Sequence, residues 1–335
     1  MTKRILIIGG YGNFGSVITS MLAQENKVQV IIAGRSLQKA DQLASKLEAT
    51  NKPETIALDI NINFSAVLAK INPDIVIHTS GPFQSQNYDL AMACVTQGCH
   101  YIDLADGRKF VAGITVLDKK AKQAGVLIIS GASSVPCFTS ALVDHSRSEF
   151  QTLEELDYGI TTAQKNNPGL ATTIAILSYV GKPFMTKIDG QMKSVFGWQN
   201  LHLHKYSELG RRFLGNCDVP DLTLFPKRYP ELKTIRFYAG LELPFTHLTL
   251  WLLSWLVRIR LISKLEKVAG RLLKTSGVLD SLGTDTSGLH MKLSGKGTDG
   301  INKSIKFELI ARSGDGQYIP CIPAIILAKK LINNE

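Results

Sequence analysis

The sequence predicts an α/β protein built on a doubly wound parallel sheet, with a second α+β region behind it. Three observations carry this reading. Short apolar runs recur at residues 5–9, 28–33, 54–58, 74–79, 100–104 and 126–130. Helical periodicity fills the intervals, at about 13–25, 36–49, 63–71, 85–98 and 108–124. A glycine turn, Gly10-Tyr11-Gly12-Asn13-Phe14-Gly15, joins the first run to the first helix. Six short strands alternating with helices require right-handed crossovers, and so a parallel sheet with helices on both faces.

The first element after Ile5-Leu6-Ile7-Ile8 is the most telling. Glycines spaced as in Gly10, Gly12 and Gly15 suit a tight turn, a close approach of the backbone to a pyrophosphate, and close packing of helix on strand. The N–H groups that open the helix, from Asn13 and Phe14 onward, then face the anion. A bound dinucleotide in a Rossmann-type domain is the expectation. The second strand ends in Ala33-Gly34-Arg35-Ser36, without the carboxylate that holds a ribose 2′-hydroxyl in NAD sites. Gly34 would leave room for a 2′-phosphate, Arg35 would pair with it as a planar fork, and Ser36 would donate a hydrogen bond. Lys39, one turn on, would add charge. NADP is therefore preferred, with NAD as the alternative. Solvation of Arg35 and a capping role for Ser36 would account for the same residues.

Ligands of such sheets bind at the carboxyl ends of the strands. The residues just past each strand are Asp59, then Ser80-Gly81-Pro82-Phe83, then Asp103 to Asp106, then Gly131-Ala132-Ser133-Ser134. Ser80, Gly81, Pro82 and Phe83 end the fourth strand, where the ribose and nicotinamide would lie; a strand-ending turn with Phe83 in the core is the competing reading. Hydride transfer needs a held nicotinamide, a positioned substrate and one acid or base. Tyr101 and Asp103 lie two apart on an extended strand, share a face, and are candidates for that role. Cys137 follows Pro136 at an expected helix N-terminus, where the dipole lowers a thiol pKa. It is a candidate nucleophile, or else a small buried cysteine. His202 and His204 share an extended face without a third ligand nearby, and His78 sits inside a core strand, so no metal site is expected.

Length and composition set bounds on the rest. The 335 residues have room for two domains, and 44% hydrophobic with 20% charged residues suits a globular protein. A net charge of +10 without a basic segment interleaved with aromatics argues against nucleic acid as the partner. Five cysteines without a CxxC pair exclude a disulfide framework and fit a reducing compartment. The chain passes from Met1-Thr2-Lys3-Arg4 directly into a core strand, so no leader peptide is expected and a cytoplasmic protein is.

Three segments are expected: 1–150 binding the dinucleotide, 151–315 as an α+β substrate and dimerisation domain, and 316–335 returning to the first. From about 151 the alternation stops. Leu156 to Ala163 reads as a strand, Gly169 to Val180 as a helix, and residues 186–240 as irregular. Leu289, Met291 and Leu293 alternate with polar residues, as do Ile305, Phe307, Leu309 and Ala311, which predicts a hairpin through Thr298-Asp299-Gly300. A last helix is expected at about 322–333.

Leu243 to Val257 is fifteen residues without Lys, Arg, Asp or Glu, and holds Trp251 and Trp255. A membrane span needs about twenty. Arg260, Lys264, Lys267, Arg271 and Lys274 follow at spacings of four, three, four and three, which predicts one basic helical face opposite Leu261, Leu265, Val268 and Leu272. Leu243 to Lys274 therefore reads as a peripheral contact with an anionic membrane, or as a domain or dimer interface with a solvated charged stripe.

Taken together, the motifs resemble the saccharopine dehydrogenase-like oxidoreductases. The shared features are Gly9 to Gly15, Ala33 to Ser36, Ser80 to Phe83, Gly98-Cys99-His100-Tyr101-Ile102-Asp103, Gly131 to Pro136, and the closing Gly314-Asp315-Gly316-Gln317-Tyr318-Ile319-Pro320 with Pro323-Ala324. The resemblance implies a Rossmann domain, a second α+β domain inserted before the C-terminal helix, and a homodimer through the second domain's sheet. Saccharopine reductases carry an acidic Asp-Pro-Gly signature after the sixth strand, where this chain reads Ser133-Ser134-Val135-Pro136-Cys137, so saccharopine itself is not the expected substrate. The expected function is hydride transfer to or from a C=N or C=O small molecule bound between the domains by an NADP-preferring oxidoreductase. A non-catalytic, membrane-associated NAD(P) sensor or scaffold is the alternative, because no acid or base stands out.

Overall fold

The computed structural model describes residues 2–335. The chain divides into two compact units: everything up to Phe138 together with Gln317–Glu335, and Thr139–Gly316. The first unit alternates β1 (Lys3–Ile8), α1 (Asn13–Leu22), β2 (Val28–Gly34), α2 (Leu37–Ala44), β3 (Glu54–Ala57), α3 (Phe64–Ile71), β4 (Ile75–His78), α4 (Asp89–Gln97), β5 (His100–Asp103), α5 (Arg108–Gly113), α6 (Asp118–Ala124) and β6 (Ile128–Ile129). All pairings are parallel and the sheet order is β3-β2-β1-β4-β5-β6. The order reverses at β1, which opens the ligand crevice of such sheets at its carboxyl end.

β1 is apolar throughout its second half because both of its faces are covered. Ile5 and Ile7 point into one core with Ile18, Val30, Ile32 and Ile325, whereas Leu6 and Ile8 enter the other with Ile31, Phe64 and Leu68. Each such side chain contributes roughly 1.5–3 kcal/mol by leaving water.

The second unit comprises α7 (Thr139–Arg147), β7 (Phe150–Thr162), α8 (Gly169–Tyr179), β8 (Pro183–Ile188), β9 (Gln191–Phe196), β10 (His202–Tyr206), β11 (Gly210–Asn216), α9 (Asp221–Arg228), β12 (Thr234–Leu241), α10 (Pro244–Arg258), α11 (Ala269–Gly277), β13 (Ser287–Gly297) and β14 (Asn302–Ala311). Its sheet runs β10-β11-β12-β7-β13-β14, antiparallel except for β12 on β7, and β8 with β9 forms a separate hairpin. The final helix, α12 (Ile322–Ile332), belongs to the first unit, where Ala324, Ile325 and Ala328 join the core around Ile5.

Two sequence expectations fail here. Residues 186–240 are not irregular but hold half of β8, all of β9 to β11, α9 and most of β12. Four of the six residues of β9 are exposed, so burial leaves no two-residue period there to be read. Residues 260–274 do not form one helix either. α10 stops at a left-handed Arg260 (φ 64), with the Arg260 N–H donating to Val257 and the Leu261 N–H to Leu256. A short 3₁₀ turn at Leu265–Val268 then leads into α11, so only Arg271 and Lys274 of the five basic residues lie on a regular helix.

Candidate functional site

The glycine turn is fixed by tight backbone packing. Gly9 is left-handed (φ 77), and a Cβ there would press on the hydroxyls of Thr79 and Ser80. The tight turn thus rests on Gly9 rather than on Gly10, as the spacing alone suggested. The Gly9 and Gly10 N–H groups donate to the Ala33 carbonyl at 2.8 and 3.2 Å, and the Gly12 N–H donates to Gly9 at 2.8 Å. A Cβ on Gly15 would strike the Gly9 carbonyl, which is the close helix-on-strand packing the motif requires. Gly12 is the exposed N-cap of α1 and has no side chain to close the helix end. Buried Thr19 donates its hydroxyl to the Gly10 carbonyl at 2.9 Å and ties helix to turn. Sequence reading missed this tie, because a threonine inside a helix carries no signal of its own.

The end of β2 differs from its expected form. The space above Gly34 is not left for a phosphate, since Tyr11 fills it and a Cβ there would lie within 2.7 Å of two ring carbons and the hydroxyl oxygen. The Tyr11 hydroxyl accepts the Ser36 N–H at 2.9 Å. Ser36 caps α2 by accepting the Lys39 N–H at 3.3 Å. Arg35 is exposed beside these groups, and its positive charge helps hold the Asp59 carboxyl below the usual range. The larger causes at Asp59 are the hydrogen bonds from Asn61, whose backbone N–H donates at 3.0 Å.

The loop after β4 is fixed by Gln86, whose amide donates to the Ser80 carbonyl at 2.7 Å. Thr79 donates to the Ile8 carbonyl at 2.9 Å, and the Gly81–Pro82 peptide is cis. Phe83 is buried with its ring 5.0 Å from that of His78 and 5.5 Å from that of Phe110. Its side chain is core, whereas Ser80, Gly81 and Pro82 are half-buried.

Asp103 is fully buried at the end of β5. One carboxylate oxygen, Oδ1, accepts the Ala105 N–H, the Ser130 hydroxyl and the Gly131 N–H, each at 2.9 Å. Burial pushes its pKa up to about 6 against the pull of these donors. The Tyr101 hydroxyl meets His78 Nδ1 at 3.0 Å, and burial drives His78 down to about 4, so the imidazole is neutral. Tyr101 and Asp103 therefore neighbour each other as one face of a strand requires, but that face is inside the protein. Cys137 is half-buried in a π-type turn, Ser134–Phe138, that contains the cis Val135–Pro136 peptide.

His202 and His204 lie far along the chain in the second unit, where the His204 ring stacks on His290 at 3.7 Å. Among the described residues, no group of three or more His, Cys, Asp or Glu is placed to hold a metal ion.

A family model described as the saccharopine dehydrogenase NADP binding domain matches residues 5–129, the span of the glycine turn and most of the parallel sheet. Carboxyaminopropylagmatine dehydrogenase of Synechocystis sp. is 26% identical over 253 residues. That alignment covers 70% of this chain and 61% of the relative, so the chain spans about three-fifths of its length. Among solved structures, saccharopine dehydrogenase (L-Glu forming) of Saccharomyces cerevisiae superposes with a TM-score of 0.68 at 14% identity, covering 99% of this chain and 92% of that one. An amine dehydrogenase of Mycobacterium smegmatis gives 0.53 at 12%, covering 99% and 93%. These two likenesses bear on the fold. Residues 5–129 thus match the saccharopine dehydrogenase NADP binding domain, and the remainder of the chain shares the fold of the solved structures.

Proposed function

We propose that the protein is an NADP-preferring oxidoreductase acting on a C=N or C=O carbon of a small molecule. The observation that carries this is the pairing of an open α1 N-terminus with exposed Arg35, with no carboxylate at the end of β2. The glycine turn fits a pyrophosphate on structural grounds, since Gly12 is open and a side chain at Gly15 would break it. The helix N–H groups would hold the diphosphate and Arg35 would pair with a 2′-phosphate, while Tyr11 fixes the Ser36 backbone. When bound, the nicotinamide supplies or takes the hydride. Ser80 and Gly81 shape the nicotinamide end of the crevice, and Asp103 acts as a positioning residue that pins Ala105, Ser130 and Gly131. Cys137, half-buried in the turn after β6, stands as the candidate that reaches a substrate. The name of the curated relative, a dehydrogenase of an amino compound, favours C=N over C=O.

The test is titration with NADPH and NADH, followed by NADPH oxidation against panels of imines, ketones and aldehydes. Tighter NADPH binding with turnover on one panel supports the reading. Tight binding without turnover on any panel would point to a nucleotide-binding sensor instead.

A further inference from the structure

Helix α10 is apolar on its outer face as well as its inner one. The positions it buries most fully are His247, Ser254 and Val257. The outward row is Phe245, Leu248, Leu252, Trp255 and Ile259, spaced by three and four residues and 37% to 65% exposed. That spacing keeps all five on one helical face. An apolar row of this size, left in water while a histidine and a serine face the core, marks an interaction surface.

The chain that leaves this row is basic. Residues 258–282 hold six Arg and Lys against Glu266 and Asp280. Glu266 lies 3.8 Å from Lys182, and Asp280 accepts from Gln164 at 3.0 Å. Arg260, Lys264, Lys267, Arg271 and Lys274 are all exposed, and none of them forms an ion pair among the described residues. Arg258 lies 4.9 Å over the Trp255 ring, so cation and aromatic meet at the edge of the row.

We propose that this face docks the protein on an anionic lipid bilayer. α10 lies in the interfacial plane with Phe245 to Ile259 among the upper acyl carbons, and the 260–274 segment meets the headgroups. Apolar burial and attraction to anionic lipid add in such a contact, and aromatic rings suit its depth. The fifteen residues of α10 are too few to span, and no helix of the described residues is long and apolar enough to cross a membrane. Charge favours lipid over a second copy of the chain, because a two-fold contact on this row would bring two like-charged segments together.

The experiment is co-sedimentation of the full chain with vesicles of phosphatidylcholine alone and of equal parts phosphatidylcholine and phosphatidylserine. Binding to the mixed vesicles is expected, with a blue shift of Trp emission that Trp255→Phe reduces. Leu252→Glu with Ile259→Glu should weaken binding at least tenfold. Reversing Lys267, Arg271 and Lys274 should cost roughly fivefold per residue. Reversing Lys119 and Lys120, exposed on α6, should leave binding unchanged. Melting temperatures check that each variant is folded, and Leu252→Ser alone replaces the double variant if that one melts early. The proposal is overturned by absence of binding to the mixed vesicles, by equal loss on reversing Lys119 and Lys120, or by binding that survives loss of the apolar row. A dimer in sedimentation velocity that Leu252→Glu dissociates, without vesicle binding, would assign the face to a second copy.

Discussion

Tyr11 and Gly34 share one space: the tyrosine ring lies where a side chain at 34 would start, and its hydroxyl holds the Ser36 N–H at 2.9 Å. The glycine at the end of β2 therefore serves the tyrosine of the glycine turn, and through it the backbone of the loop that follows β2. Gly34→Ala must displace the ring, an overpacking cost of about 1–3 kcal/mol that urea unfolding will read. Tyr11→Phe keeps the ring and loses only the hydrogen bond, so it should cost about 1 kcal/mol and weaken NADPH binding several-fold.

Arg35 is exposed and, beyond the field it shares with Asp59, is held by no ion pair among the described residues. Arg35→Ala should weaken NADPH binding by about tenfold or more, the worth of a charge-assisted pair, and leave NADH binding unchanged. The loss should shrink as salt is raised, because the site is open to solvent. Calorimetric titration with both nucleotides checks it; equal losses for the two would remove Arg35 from cofactor selection.

Asp103 is the single acceptor for three donors from two loops. Asp103→Ala leaves buried Ala105 and Gly131 N–H groups unpaired, which at about 1–3 kcal/mol each predicts a loss of at least 2 kcal/mol in unfolding free energy. Asp103→Asn retains Oδ1 and should lose much less. An alanine variant of unchanged stability would show that the loops hold themselves.

The first unit was legible because its strands are buried on both faces, so Ile5 to Ile8 and Val30 to Ala33 stand out as unbroken apolar runs. The glycine turn could be read from its spacing for the same kind of reason: Gly15 tolerates no side chain. What escaped was geometry made by residues with ordinary propensities. Tyr11 reads as a spacer between glycines, Ser130 as a loop residue and Thr19 as a helix position, yet each fixes part of the site through one hydrogen bond across 9 to 27 residues. The pairing of Tyr101 with Asp103 was visible from the two-residue period, but the burial of both faces of β5 was not, because a tyrosine and an aspartate interrupt the apolar run around Ile102. Strands such as β9, exposed along most of their length, left no pattern at all.

Asp221 sets a pH dependence in the second unit. It opens α9 fully buried, and its Oδ2 accepts the Thr139 and Tyr158 hydroxyls at 2.8 Å each. Burial raises its pKa to about 7, well above an unfolded carboxyl near 4, although the two hydroxyls pull the other way. The folded state thus holds a proton that the unfolded state has lost between about pH 4 and pH 7, so this group's contribution to stability falls as pH rises through that window and is level above it. Asp221→Asn keeps an oxygen for both hydroxyls and does not ionise. Its stability relative to the unsubstituted chain should therefore rise from pH 4 to pH 7 and then stay constant, as measured by urea unfolding across that range. A difference that does not change with pH would mean that Asp221 ionises in the folded protein as readily as in the unfolded one.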